Sequence, residues 1–302
     1  MIKVFLWFLI LLGSMVNCAR SLYFCTASDS NYFRPLMNLI GGIHKHHFDE
    51  LGEIAVFNLG FTEEQRRELN LIAKLKVYEV EKKHPDILKR FKTTVWGKTV
   101  PGWYAWKPVV IKQALDMFPY VLFIDAGTTL MKPINALFEH MWAKGYFFHS
   151  GSSWPMKKQT CNYQAESFDL FSEDKKWILE APGLESGLMG LTHDIYDSFV
   201  LPTYELTVDL KNFTDDGTAQ GGWGACRHDQ TVFSAQVLSL GLNIHHHFLN
   251  PEEEFLLEQA GNQCVPFNIA CVPWVVSEKT YIYCSRNDIR NYDHYVSFIR
   301  YE

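Results

Sequence analysis

The 302-residue sequence predicts an α/β fold with a parallel-rich central sheet and helices on both of its faces. Three observations carry that expectation. Short apolar strands alternate with helical segments from Leu22 to Ile124. The run Tyr120-Val121-Leu122-Phe123-Ile124 is apolar without a break, as in a strand buried on both faces. Just before it, Ile111, Ala114, Leu115 and Phe118 recur at the spacing of one helical face.

Each element follows from its residues. Leu22 to Ala27 reads as a buried strand that ends in the polar turn Ser28-Asp29-Ser30-Asn31. A helix is expected from Phe33 to Ile40, stopped by Gly41-Gly42. Ile54 to Leu59 is a second strand, closed by Gly60. Thr62 caps the next helix, with Glu63, Glu64 and Gln65 in its first turn. Leu75 to Val80 is a third strand. Lys107 to Phe118 is a helix with Pro108 in its first turn, where a missing N–H is harmless, and Pro119 ends it. The strand Tyr120–Ile124 stops abruptly at Asp125-Ala126-Gly127-Thr128. In open parallel sheets ligands bind at the carboxyl ends of the strands, so Asp125 stands where a ligand would be held.

The second half is less regular. Leu184 to Leu191 reads as one strand punctuated by glycines. Asp215 to Gly224 is a glycine-rich loop, with Asp215 and Asp216 as turn residues. Asp229 to Leu240 is a helix stopped by Gly241, and Asp229 has the chemistry of an N-cap. Leu242 to Phe248 and Tyr281 to Cys284 are expected strands. In the triplet His245-His246-His247 only alternate residues can share a face. Trp103, Tyr104 and Trp106 could stack on a base or sugar, or serve as packing for the helix that follows. No linker or repeat divides the chain, so residues 21–302 are read as one domain.

Composition limits the function classes. The chain is 47% hydrophobic and 15% aromatic, enough to bury a large core. Its net charge is −6 and its basic residues are scattered, which argues against nucleic-acid binding. Lys3, the apolar run Val4–Leu12 and the small residues after it have the plan of a signal peptide over residues 1–20, cleaved or kept as an anchor. Without Cys18 six cysteines remain, an even number that permits three disulfides in a secreted chain. Cys264 and Cys271 are the pair most easily joined locally, Cys25 can serve as a small buried hydrophobe, and the spacings do not suit zinc. Asn212-Phe213-Thr214 is a glycosylation sequon.

Several segments together resemble the nucleotide-diphospho-sugar transferases of the GT-A fold, nearest to the glycosyltransferase family 8 type. The segments are Ala27-Ser28-Asp29-Ser30-Asn31-Tyr32, Tyr104-Ala105-Trp106-Lys107, Phe123-Ile124-Asp125-Ala126-Gly127, Glu185-Ser186-Gly187-Leu188 and His228-Asp229-Gln230. The resemblance implies a GT-A-like single domain. It implies a nucleotide-sugar site at Thr26, Ala27, Ser28, Tyr32, Lys107, Asp125, Gly127, Ser186, Gly187 and Arg286, with Asp229 and Gln230 at the reacting carbon. Asp125 and His246 are the candidate ligands for Mn2+ or Mg2+. The sequence departs from the family where Gly127 replaces the second aspartate of DxD, and where Cys284-Ser285 stand in place of a late histidine. Metal-independent action therefore stays open, with Lys107 and Arg286 neutralising the diphosphate.

The implied activity is transfer of a hexose from a UDP-sugar to a glycan or protein acceptor in the endoplasmic reticulum or Golgi lumen, or outside the cell. Two alternatives stand beside it: a catalytically inactive sugar-binding relative of the same fold, and a secreted glycoside hydrolase. The hydrolase would need two carboxylates facing a groove, and no such pair stands out.

Overall fold

The structure, a computed structural model, describes residues 20–93, 99–220, 226–245, 268–270, 280–284 and 294–302. Residues 1–19 of the signal-peptide segment, His246, His247, Cys264, Cys271 and Arg286 lie outside the described residues.

Along the chain run β1 (Leu22–Ser28), α1 (Phe33–His47), β2 (Leu51–Asn58), α2 (Glu63–Leu69) and β3 (Leu75–Glu79). A hairpin of β4 (Arg90–Lys92) and β5 (Thr99–Pro101) precedes α3 (Trp106–Met117), β6 (Tyr120–Ile124) and β7 (Thr129–Leu130). Then come α4 (Asn135–Lys144), β8 (Tyr146–Phe147), β9 (Ser150–Pro155), α5 (Asn162–Ser167), α6 (Lys176–Glu180), β10 (Pro182–Leu184) and β11 (Leu188–Thr192). The last elements are α7 (Leu201–Glu205), α8 (His228–Ser239), β12 (Asn268–Ala270) and β13 (Thr280–Tyr283).

The main sheet has six strands in the order β3-β2-β1-β6-β11-β8. The first four are parallel, and β11 and β8 are antiparallel to their neighbours. Side chains alternate between two cores because the strand period is two. Cys25, Ala27, Val121 and Phe123 face α3 and its Val109, Val110 and Leu115. Phe24, Leu122 and Ile124 face the other way, onto Leu36 and Ile40 of α1 and Phe138 of α4. Both faces are thus covered, and β6 is buried at every position, as its unbroken apolar run requires.

Local signals held where the determinant is itself local. Thr62 and Gln65 form a reciprocal capping box, and Gly241, with φ +64, follows the end of α8. Four expectations need correction. First, α1 does not stop at Gly41-Gly42 but runs through both to His47. A Cβ on Gly41 would lie 2.0 Å from the Tyr295 carbonyl oxygen, and one on Gly42 3.2 Å from Leu130. The glycines admit other chain segments against the helix; they do not end it. Second, Leu184–Leu191 is two strands in different sheets. Leu184 pairs with Ser150 of β9 and Leu188 with Ile124 of β6, with Glu185-Ser186-Gly187 turning between them. Third, Leu242–His245 is not a strand; His245 makes one isolated bridge to His149. Fourth, Asp229 does not cap α8. The N-cap is Arg227, without a side-chain cap, and Asp229 lies inside the first turn.

Gly41→Ala is expected to lower unfolding stability by roughly 2 kcal/mol or more, because its obstacle is backbone and cannot rotate away. Gly42→Ala should cost less, since its closest neighbour is 3.2 Å away. Urea unfolding midpoints of the two variants test the ranking; equal midpoints would contradict it.

Candidate active site

The site forms at the carboxyl edge of the parallel strands. Asp125 follows the last residue of β6, and its N–H donates to the Gly187 carbonyl at 2.8 Å just before β11 begins. Cys25 of β1 pairs with Phe123 of β6, so Ala27 reaches the level of Asp125 and the Ser28–Tyr32 turn lies at the same edge. Asp29 organises that turn. Its carboxylate accepts the N–H groups of Asn31 and Tyr32, at 2.9 and 3.1 Å, and pairs with Arg90 of β4.

Lys107 is the centre of the cluster. It is only 2% exposed, and its ammonium lies 3.0 Å from Asp125 Oδ1 and 2.9 Å from Asp229 Oδ2. It also donates to the Ser186 carbonyl and hydroxyl oxygens, both at 3.3 Å. The Ser186 hydroxyl donates in turn to Asp229 Oδ2 at 2.7 Å. A buried ammonium needs such partners, since desolvating it alone is prohibitive. Gly187 is required by the same crowding: a methyl there would sit 2.8 Å from Asp125 Oδ2 and 3.2 Å from Glu185 Oε1.

Two left-handed turns present this cluster. Gly102, Trp103 and Tyr104 have φ of +52, +52 and +65 directly ahead of α3, which carries Lys107 in its first turn. His228, with φ +39, directly precedes Asp229. For non-glycine residues these are costly conformations that surrounding structure must hold. The turns hold each other. The Trp103 ring lies 5.3 Å from Phe91 and 5.2 Å from His228, and Tyr104 lies 5.6 Å from His228. The packing reading of Trp103 is therefore the one the structure supports. Burial pushes His228 below the usual histidine range, and its Nδ1 lies 2.8 Å from the Phe213 carbonyl oxygen.

Of the residues expected at the site, Lys107, Asp125, Ser186, Gly187 and Asp229 converge within hydrogen-bond reach or contact. Thr26, Ala27 and Ser28 lie on β1, the neighbouring strand, and all three are buried. The Thr26 hydroxyl finds no hydrogen-bond partner among the described residues. Tyr32 is 38% exposed at the rim, Gly127 is buried in the turn after Asp125, and Gln230 is buried beside Asp229. The Asp29–Arg90 pair and the position of Glu185 were not singled out from sequence. Asp29 could have been found as the polar residue that ends an apolar strand; Arg90 carries no sequence signal.

The fold is of the GT-A type: a parallel-rich sheet with helices on both faces and an acidic strand end at its carboxyl edge. Among solved structures the chain is similar to the bifunctional glycosyltransferase WbbM in its apo form, with 10% identity, a TM-score of 0.52, and coverage of 92% of this chain and 50% of that one. This chain thus spans half the length of WbbM. It is also similar to core-mannan synthase A from Aspergillus fumigatus in an Mn/GDP form, with 13% identity, a TM-score of 0.51, and coverage of 75% and 72%. No protein-family model and no curated protein matches the sequence.

Proposed function

We propose that the protein transfers a hexose from a nucleotide-sugar, a UDP-sugar in the first instance, to a glycan or protein acceptor. The observation that carries the reading is Lys107 clamped between Asp125 and Asp229 at the carboxyl edge of the sheet, beside the β1 turn. The fold supports it, and core-mannan synthase A binds GDP at 13% identity to this chain.

In this reading Asp125, the more exposed of the two aspartates at 22%, meets the donor. Lys107 fixes its carboxylate and offsets its charge. Asp229, at 8% exposure, acts from beneath by orienting Lys107 and the Ser186 hydroxyl, with Gln230 packed beside it. The Ser28–Tyr32 turn and the Asp29–Arg90 pair border the nucleotide.

A divalent cation fits the donor set in kind. Asp125 and Glu185 offer hard oxygen donors beside Gly187, as Mn2+ and Mg2+ prefer. Lys107 already divides its charge between two carboxylates, which leaves little of it for a diphosphate. Bound there, the ion would neutralise the leaving diphosphate. Asp125 is the residue to hold it, with Glu185 second.

Incubating the full chain with a panel of nucleotide-sugars, with and without manganese, tests the proposal. Release of nucleoside diphosphate, reduced about tenfold or more by EDTA and restored by manganese, is the expected result. Binding without turnover would favour the inactive sugar-binding relative. Neither binding nor turnover with any donor would remove the transferase reading.

The leader-like segment over residues 1–20 supports assigning the reaction of the domain at 21–302 to the endoplasmic reticulum or Golgi lumen, or to the cell exterior. Asn212 of the sequon is half-buried, and its amide donates to the Leu206 carbonyl at 2.8 Å.

A further inference from the structure

Spacing alone argues against zinc, yet the fold gathers a sulfur cluster behind the site. The sulfurs of Cys161 and Cys226 and a carboxylate oxygen of Asp215 lie within 4.8 Å of one another, and all three residues are buried. Cys161 precedes α5 as its N-cap, and Cys226 lies three positions before Asp229. The two segments are already strapped together. Arg227 N–H donates to the Gln159 carbonyl at 3.0 Å, and Gln164 Nε2 donates to the His228 carbonyl at 2.9 Å. Gln164 Oε1 accepts from the Cys161 N–H at 3.3 Å and from the Cys226 thiol at 3.4 Å. The bonds from Gln159 and Gln164 to residues 226–228 meet at the turn of His228, whose φ of +39 must be held for Asp229 to reach Lys107.

We propose that Cys161 and Cys226 join in a disulfide that fixes this turn. The alternative occupant of the cluster, a zinc ion, is less well served. Two thiolates and a carboxylate would place three negative charges on one dication inside the fold, whereas a disulfide is neutral. A further candidate ligand, His228 Nδ1, is 3.6 Å from Cys226 Sγ but sits 2.8 Å from the Phe213 carbonyl oxygen, a hydrogen bond it would have to give up.

The bond forms by exchange with a small disulfide of the glutathione type. One cysteine thiolate attacks it, releasing one small thiolate and leaving a mixed disulfide. The second cysteine thiolate attacks the protein sulfur of that intermediate, the protein S–S bond forms, and the second small thiolate departs. The two protons lost by the cysteines go to the two departing thiolates, and the small disulfide is reduced by two electrons.

The inference goes beyond the transferase reading and does not depend on it, since it concerns sulfurs that neither Asp125 nor Lys107 touches. The full chain is equilibrated with oxidised and reduced glutathione, quenched in acid and alkylated under denaturing conditions without reductant. Peptide mapping should find the Cys161 and Cys226 peptides linked and two hydrogens lighter than their sum. Reduction of the native protein should lower Tm by roughly 5 to 10 °C. Zinc is quantified on the same preparation before any chelator is added. Both thiols alkylated after oxidation would overturn the proposal. So would Cys226 linked to another cysteine, or one zinc per chain with both thiols protected.

Discussion

Lys107→Ala is expected to reduce sugar transfer by roughly two orders of magnitude and to lower stability by about 3 kcal/mol. The two losses have one origin. Removing the ammonium leaves Asp229, at 8% exposure, as a buried carboxylate with the Ser186 hydroxyl as its remaining hydrogen-bond donor among the described residues. A buried charge stripped of its partner is far more costly than the pair was beneficial. Asp125 also loses the contact that fixes its rotamer, so whatever it holds is held less well. A second substitution separates the effects. Lys107→Met combined with Asp229→Asn should regain much of the stability, because no uncompensated charge remains, and should stay inactive. Thermal unfolding and turnover on the same preparations decide the matter. Wild-type stability in Lys107→Ala would mean that the ammonium is not the keystone described above.

Asp125→Asn should behave differently. Turnover is expected to fall by about 100- to 1,000-fold, while Tm stays within a few degrees of the wild type. Asp125 is 22% exposed and Lys107 keeps Asp229, so no buried group is orphaned. The amide retains the shape of the side chain but not the charge. It would bind a metal ion or orient a sugar hydroxyl less well just where charge develops on the leaving group. Unchanged turnover with unchanged Tm would return Asp125 to the role of a turn residue at a strand end.

The legible parts of the sequence were those whose determinants are neighbours in the chain. The apolar run of β6 declared its burial, and Thr62 with Gln65 declared a helix start. Asp125 was readable because a buried strand stops on it. Gly41-Gly42 misled because their cause is distant: Tyr295 and Leu130 press on the helix from segments that composition cannot bring near. Asp229 misled for a similar reason. Its chemistry suits an N-cap, but the partner that claims its carboxylate is Lys107, on another helix. Lys107 itself was found as a basic residue in the right motif, without the information that two aspartates share it. The Leu184–Leu191 segment reads as one strand because nothing in its residues says that Ser186 must leave the ladder to meet Lys107. Pairing across the fold is what a pass along the chain could not supply.

The two left-handed turns that lean on each other also say something about the order of assembly. Trp103 and His228 belong to segments far apart in the chain, and neither strained conformation has a local reason to persist. Each is held by contacts with distant segments, the other turn among them, so the pair behaves as a late latch. The contacts that close it span a long loop, whose closure entropy must be met before the contact returns anything. A chain with its parallel strands already paired could therefore still lack a formed site, and recovery of function on refolding would trail recovery of helix and sheet signal.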